Sequence, residues 1–433
     1  MKITLLNDTE CFENIGCQLT SARLKHKVTE SITGLGEEVE LECYPWKWGV
    51  RARRVHSFFS SLPFLMGRKE GRASFLRWLK VLSKNEYGRD AYHSSLNADL
   101  VVFQPEGSFY ESDDILKLIS ILSLPILCQR IGKPVLCLNG TFPEHPDSRA
   151  EFIKSFFRSS RWVALRDRRS AEFYGTDFLP DLAFSYQALD SVPVGSTTPS
   201  DSVLITTGAG FSKKENLKLA RVALDFCHDE GLRPLVLTKL GFHLEGLRPE
   251  IESMNGRFID LPNLYVGAEL IKECCLHIGG RYHMAILAFT LSVPSVLVRT
   301  NTHKNEWLSD ELLGVEIAQT FSEISTLGEK LLHQGDQAKA DMAEDLERMK
   351  LIIESDIPRQ LQELANCTTT PPRKSKLNEQ NGLHNHLTLS SMAGCLYQDQ
   401  KIRLNRSVRN IRRKLLLTKN KVYPHSILGA RQN

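Results

Sequence analysis

The sequence predicts an α/β protein of two Rossmann-like domains facing a cleft, with a helical insertion in the first domain and a basic C-terminal tail. Three observations predict it. Strand-like apolar runs alternate with helix-like segments, the pattern of parallel sheets covered by helices. That series runs twice, on either side of the Ser-, Thr- and Pro-rich stretch QALDSVPVGSTTPSD that follows Tyr186. The chain has 433 residues, too long for one ordinary core and suited to two domains with extras.

The elements follow in order. Lys2–Leu6 is the first strand, and Glu38–Cys43, Ala98–Phe103, Pro134–Leu138 and Trp162–Arg166 continue an N-terminal domain over residues 1–187. A basic insertion at about residues 50–90 interrupts it. From Arg51 to Lys84 aromatic and leucine residues recur at helical spacing, which reads as an inserted helical pair. A linker covers residues 188–200. The second domain, residues 201–366, carries strands at Ser202–Thr206, Pro234–Thr238, Leu276–Gly279 and Ser295–Arg299, then one long charged helix over Asp341–Leu364. Residues 367–433 begin as a polar, irregular linker (TTTPP, LNEQNGLHNH) and end in a basic tail.

Composition sets bounds on function. The apolar and charged fractions are those of a globular protein, and no apolar run approaches the ~18 residues that span a bilayer. The N-terminal MKITLLNDTECF lacks the apolar core and cleavage site of a signal peptide, so the expected location is cytoplasmic. Of the ten cysteines, Cys43, Cys128, Cys137, Cys227, Cys274 and Cys275 lie inside apolar segments, and no CxxC pair occurs. That pattern fits reduced, buried thiols rather than disulfides or zinc. A net charge of +4 is too small to imply nucleic acid. Its distribution says more: KIRLNRSVRNIRRKLLLTKNK, Lys401–Lys421, has no acidic residue and repeats Leu404, Val408, Ile411 and Leu415 at helical spacing. Such a basic amphipathic helix suits peripheral contact with the inner face of an anionic membrane, or packing back on the protein.

In open parallel sheets ligands bind beyond the carboxyl ends of strands, so the informative residues are those that follow strands. After the first strand, Asn14 and Gly16 open a helix whose N–H groups face an anion. QPEGSFYESDD sets Glu106 and Gly107 at the end of the third strand; ALRDRRSAEFYG and LPDLAFSY follow the fifth. ITTGAGFSKKEN has the strand–glycine–helix form of a phosphate cradle, although Gly208 and Gly210 read first as turn-shaping residues. Finally CLHIGGRYHMAILAFTLSVPSVLVRTNTHKNEW puts Arg281 and His283 where a helix begins, and returns Lys304 after the next strand. Taken singly, an arginine or lysine in such a turn is ordinarily a surface or capping residue. Glu106 and Asp181 read as turn-holding or capping carboxylates. The other histidines, including His303, read as ordinary.

In this order and spacing the pieces resemble the polysaccharide pyruvyl transferase family. The resemblance rests on Asn14-Ile15-Gly16, on Glu106-Gly107-Ser108, on Arg166-Asp167 through Ser170 with Asp181 to Phe184, and on Arg281-Tyr282-His283 followed by Ser292-Val293-Pro294 and Lys304. It covers roughly residues 1–335. Cys17 stands where many members have Asp, and Pro105 where Gly or Asn is usual; these differences bear on the acceptor rather than on the donor chemistry. The resemblance implies GT-B-like architecture and transfer of an enolpyruvyl unit from phosphoenolpyruvate (PEP) to sugar hydroxyls, giving a pyruvate ketal in exopolysaccharide or cell-surface glycan synthesis. It implies no cofactor beyond the donor, no metal and no nucleic acid. His283 and Arg166 take the catalytic roles, with His283 handling the proton; Arg281, Lys304, Asn14, Gly16, Glu106 and Gly107 bind substrate, and the acceptor is a glycan or lipid-linked sugar. On the sequence alone two other readings stay open: a GT-B glycosyltransferase using a nucleotide sugar, with Phe242 and Glu245 as weak candidates for its base and ribose, and a non-catalytic glycan-binding scaffold of the same fold.

Overall fold

The structure is a computed structural model that describes residues 1–10, 14–45, 86–111, 115–145, 147–186, 201–238, 244–260, 264–300 and 302–368. The expected insertion up to residue 85, the linker at 188–200 and the tail at Lys401–Lys421 lie outside the described residues.

The first sheet comprises β1 (Lys2–Leu6), β2 (Glu40–Tyr44), β3 (Leu100–Phe103), β4 (Val135–Gly140), β5 (Trp162–Leu165) and β6 (Asp177–Phe178), all parallel, in the order β2-β1-β3-β4-β5-β6. Its helices are α1 (Ile15–Thr33), α2 (Glu86–Asn97), α3 (Ile115–Arg130), α4 (Ser148–Ser159) and α5 (Arg168–Tyr174). The second sheet holds β7 (Ser202–Gly208), β8 (Arg233–Thr238), β9 (Arg257–Asp260), β10 (Cys274–Gly280), β11 (Ser295–Val298) and β12 (Val315–Ala318), again parallel, in the order β12-β11-β10-β7-β8-β9. Around it lie α6 (Lys213–Asp229), α7 (Arg248–Ser253), α8 (Leu264–Lys272), α9 (Tyr282–Thr290), α10 (Lys304–Glu311) and α11 (Ile324–Thr368).

The central strands β3, β4 and β5 are buried at every position, as expected where helices cover both faces of a parallel sheet. The nine strands expected from the sequence all form, with ends shifted by a few residues. Three others were not anticipated: β6, β9 and β12. They are short, and β6, β9 and β12 close sheet edges, where one neighbour suffices and the apolar run that marks a central strand is not required. Strands β7 and β10 also run on to Gly208 and Gly280. A Cβ on Gly280 would lie 2.8 Å from the Cα of Gly208, so glycine lets the two backbones meet at the end of the ladder.

The order in which strands are laid across the sheet reverses between β1 and β3 in the first sheet and between β7 and β10 in the second. These are the topological switch points, where diverging connections open a crevice at the carboxyl ends of the strands.

The last helix departs most from expectation. It begins at Ile324 rather than Asp341, breaks at Gly335 (φ 50°, ψ −125°), and continues to Thr368 through Pro358. Its second half leaves the second sheet and packs on α1 of the first. Met349, Ile353, Ile357 and Leu361 recur at helical spacing and are buried with Leu24, Val28 and Ile32 of α1. Buried Lys27 of α1 donates to Glu354 at 2.6 Å. Across the same interface Phe184 meets Phe289 edge-on, 6.1 Å between centroids, and Phe178 meets Trp307 at 5.7 Å. One apolar cluster therefore spans both domains, while the outer faces of the two sheets keep separate cores.

Ile353 is fully buried in that shared cluster, whereas Leu351 is 67% exposed. Ile353→Ala is expected to cost about 2–5 kcal/mol in urea denaturation, and Leu351→Ala to stay within about 0.5 kcal/mol of the parent.

Candidate active site

The two switch points face one another, and side chains from both converge there. From the first domain come the turns after β1, β3, β4 and β5. Asn7 and Glu106 in these turns, and Asn139 near the end of β4, take left-handed backbone angles although none is glycine (φ 65°, 47° and 61°). Such angles cost on the order of 1–3 kcal/mol each and persist where surrounding bonds over-determine them. Asn7 Nδ2 donates to the carbonyl of Gln104 at 2.5 Å and to Ser108 Oγ at 3.2 Å, and Thr141 N donates to the Glu106 carbonyl at 3.0 Å. Asn139 Oδ1 accepts from Leu182 N at 3.1 Å, which holds the turn that carries Asp181.

Arg166, at the end of β5, has no exposed surface. Its Nε donates to Thr141 Oγ1 at 3.0 Å and its Nη1 to Asp181 Oδ2 at 2.8 Å. The ring of Tyr282, from the second domain, lies 4.8 Å from the guanidinium carbon. Asp181 caps the short helix Leu182–Ser185 through Ala183 N, and its Oδ1 also accepts from Thr20 Oγ1 at 3.2 Å. Burial alone raises the pKa of Asp181, but Arg166 and His283 beside it more than reverse that and hold the carboxyl well below the usual range.

His283 reaches this pair from α9. Its Nε2 lies 3.2 Å from Asp181 Oδ2 and 3.1 Å from Thr20 Oγ1. Nε2 also lies 3.1 Å from Arg166 Nη1, an obligate donor, so every hydrogen-bonding contact of the ring among the described residues falls on Nε2 and Nδ1 makes none. Nδ1 lies 3.9 Å from Glu106 Oε1. The ring packs on Gly16, where a Cβ would come within 2.2 Å of Nδ1. Gly16 is thus needed to admit the histidine, while Asn14 caps α1, its Oδ1 accepting from Gly16 N at 3.1 Å.

The cations gather over Gly107. A Cβ there would lie 3.5 Å from Arg166 Nη2 and 3.7 Å from Lys304 Nζ. Arg166 Nη2 is buried with no hydrogen-bond partner. Lys304 is buried and pairs with no carboxylate among the described residues. Burial first, then Arg166 and Arg281, push its pKa down to about 8, against an opposing pull from Glu106. Arg281, half-buried at the end of β10, donates through Nε and Nη2 to Thr207 Oγ1 at 3.1 and 3.0 Å, and burial lowers its pKa too. An unpaired guanidinium nitrogen and an ammonium thus meet over a missing side chain, with a second guanidinium near enough to act on the lysine, the groups that suit an anion.

The structure thus brings together Arg166, Arg281, His283, Lys304, Gly16, Glu106 and Gly107. Asn14 stands one step back, as a cap. Arg166 does not face open solvent in the cleft; it lies beneath it, with one nitrogen directed upward. Asp181 holds a turn, as expected, and also anchors Arg166 and His283. His303 is not an ordinary histidine: it is buried between the domains, its Nε2 2.8 Å from Asp167 Oδ1 and 3.2 Å from Ser170 Oγ. That contact ties the residue after Arg166 to the residue before Lys304. Thr20, Thr141, Thr207 and Tyr282 carry no sequence signal of their own, since single threonines and a buried tyrosine are common everywhere. The phosphate-cradle form at Gly208 is not available for an anion in the expected way. Gly208 N donates to Asn216 Oδ1, Ala209 N to the Gly280 carbonyl, and α6 is closed by a Ser212–Glu215 capping box. Gly208 instead leaves room for the ring of Phe211. Glu245 is exposed and pairs with Arg248, and Phe242 lies outside the described residues. Among the described residues no group of His, Cys, Asp and Glu is placed to hold a metal ion, and no helix is long and apolar enough to cross a membrane.

Fold and site together define a two-domain α/β protein whose facing switch points gather buried cations. The chain belongs to the polysaccharide pyruvyl transferase family, whose model matches residues 35–302, and it is accordingly a transferase. The match contains Glu106, Gly107, Arg166, Arg281 and His283; Asn14, Gly16 and Lys304 lie just outside it. No curated protein is similar enough to match. Among solved structures, the chain is similar to the UDP-GlcNAc 2-epimerase of Neisseria meningitidis bound to UDP-GlcNAc, with a TM-score of 0.53 at 10% identity over 84% of this chain and 99% of the other. It is also similar to a UDP-glucosyltransferase from Polygonum tinctorium, with a TM-score of 0.51 at 12% identity over 86% of this chain and 99% of the other. At such identities these likenesses show the shared GT-B-like fold.

Gly16→Ala would drive a methyl group into the His283 ring. It is expected to lower turnover about 100-fold, the cost of misplacing a catalytic group by about 1 Å, with the circular dichroism spectrum unchanged.

Proposed function

We propose that the cleft binds PEP and transfers its enolpyruvyl unit to two hydroxyls of a glycan or lipid-linked sugar, giving a pyruvate ketal for an exopolysaccharide or other cell-surface glycan. Family membership supports the transferase class. One observation carries the donor: a fully buried arginine leaves Nη2 without a partner at a gap over Gly107 that Lys304 also borders. A buried unpaired donor is costly unless a ligand completes it. PEP bears a carboxylate and a phosphate, the groups for which guanidinium forks and an ammonium are suited. Arg281 and Lys304, on the second domain, and Arg166, on the first, then close on the same anion.

His283 acts as the general acid in this reading. Asp181 and Arg166 hold its Nε2, and Nδ1, 3.9 Å from Glu106 Oε1, protonates the methylene carbon of the donor. The carbon next to it gains oxocarbenium character, which the acceptor hydroxyl attacks. The reading needs no resident cofactor. A donor made in the cytosol also places the reaction on the cytoplasmic side.

PEP is expected to raise the melting temperature of the protein through its preference for the native state, by about 2.7 kcal/mol at 100 times Kd, and UDP- or GDP-sugars are not. His283→Ala should retain that stabilisation and lose about 10²- to 10⁴-fold in acceptor-dependent phosphate release. A shift with nucleotide sugars and none with PEP sinks the proposal. The pH dependence has a definite sign. Lys304 is protonated below its pKa of about 8, and a bound anion raises that pKa. PEP affinity is therefore greatest below pH 8 and declines as pH rises above it, read by thermal shift from pH 6.5 to about 9.5.

The tail completes the proposal. Lys401–Lys421 is basic and amphipathic, and each lysine or arginine near acidic lipid contributes about 1 kcal/mol. The full chain is expected to sediment with phosphatidylglycerol vesicles at low salt and to be released at high salt. A form truncated after Thr368 should stay in the supernatant and keep its activity on soluble acceptors; equal partition of the two forms removes the membrane role.

A further inference from the structure

Glu106 is a negative charge set inside a site that otherwise gathers positive ones. It neighbours Gly107, over which Arg166 Nη2 and Lys304 Nζ meet. For binding a donor of high negative charge, a carboxylate at this position is unfavourable. Its placement is nevertheless enforced. Asn7, just after β1, holds the Gln104 carbonyl and Thr141, just after β4, holds that of Glu106, whose backbone takes a left-handed angle of 47° and whose Oε1 lies near Cys17 and His283. The only hydrogen bond to the carboxylate among the described residues comes from Cys17 Sγ, 3.2 Å from Oε1. Burial, with Glu106 beside it, pushes the Cys17 thiol well up, so it stays protonated and orients the carboxylate without neutralising it. The other acidic groups nearby are spent. Asp181 is held by Arg166, His283, Thr20 and Ala183, Asp167 is held by His303 and Ser170, and both side chains are fully buried.

On the reading proposed above, we infer that Glu106 is the general base for the acceptor sugar, taking the proton from each attacking hydroxyl and passing it to His283. Sugar hydroxyls are poor nucleophiles near neutral pH, and the reaction consumes two of them. When the first attacks, its O–H bond breaks and the proton goes to Glu106. The oxygen's electron pair forms the bond to C2 of the donor, and C3 receives a proton from His283, becoming a methyl group. Glu106, at ion-pair distance from Nδ1, restores the proton to His283. When the second hydroxyl attacks, its proton also goes to Glu106. The C2–O bond to phosphate breaks, the electron pair leaves with phosphate, and His283 returns the proton to it as hydrogen phosphate. Two hydroxyl protons are thus accounted for, one in the methyl group and one on phosphate, and no oxidant or further reactant is needed.

Glu106→Gln keeps the shape and removes the basicity. With p-nitrophenyl glycosides as acceptors, Glu106→Gln is expected to lose about 10²- to 10⁴-fold in acceptor-dependent phosphate release. It should bind PEP as tightly as the parent or more so, by thermal shift, because a repelling charge is gone. Glu106→Asp keeps a carboxylate, and is expected to turn over more slowly than the parent but at least tenfold faster than the glutamine variant; it carries the test by its PEP binding and rate if the glutamine variant shows no cooperative unfolding transition. A role limited to balancing Lys304 predicts the opposite: turnover within about threefold of the parent with tighter PEP binding, and that result overturns the inference while leaving the donor reading intact. If the parent protein itself neither gains stability from PEP nor releases phosphate from it, the donor reading fails and this inference falls with it.

Discussion

A guanidinium with no exposed surface lies at the junction of the two domains, and most of the site is arranged around it. The charge of Arg166 is tolerable there only because Asp181, 2.8 Å away, is ionised, and Asp181 stays ionised only because Arg166 and His283 share its oxygen. The interaction is three-cornered. Arg166 and Asp181 belong to the first domain and His283 to the second, so the ion pair that satisfies a buried charge also fixes where the second domain sits and which nitrogen of its histidine is free. Tyr282 closes the arrangement, its ring 4.8 Å from the Arg166 guanidinium carbon and 5.8 Å from Lys304 Nζ.

Around this core the domains are clamped by contacts of different kinds. Asp167 and His303 bridge them by a buried hydrogen bond directly beside Arg166 and Lys304. Arg168 reaches Glu311 at 2.7 Å on the rim. The final helix crosses from the second sheet to α1 and buries an apolar stripe there. The apolar contacts supply most of the attraction, since an exposed ion pair contributes little, while the buried polar contacts select one register of the two domains. The cationic cluster exists only in that register, because Arg166 comes from one domain and Arg281 and Lys304 from the other.

Several departures from relaxed geometry and full pairing fall around this site. Three non-glycine residues at the ends of β1, β3 and β4 take left-handed angles, one guanidinium nitrogen is left unbonded, and a lysine is depressed to about pH 8. Each is unfavourable in the free protein, and each would be relieved or used when an anion enters.

Much of this was legible in the sequence. Nine strands could be read because central parallel strands must be apolar on both faces, and the two-domain class followed from their repetition. His283, Arg281, Lys304, Glu106 and Gly107 could be singled out because ligand-binding residues of parallel sheets follow strands, so position along the chain carries meaning. Edge strands β6, β9 and β12 escaped because a strand with one neighbour has no composition of its own. The start of the last helix and its passage to the first domain escaped because an amphipathic stripe does not say which surface it will meet. Nor does a sequence show that Arg166 would be buried beneath the cleft with one nitrogen unbonded, that Asp181 would be shared by two domains, or that His303 would reach Asp167. Those facts join residues more than a hundred positions apart, or depend on how a turn aims a side chain, and only the folded packing of one sheet against another decides them.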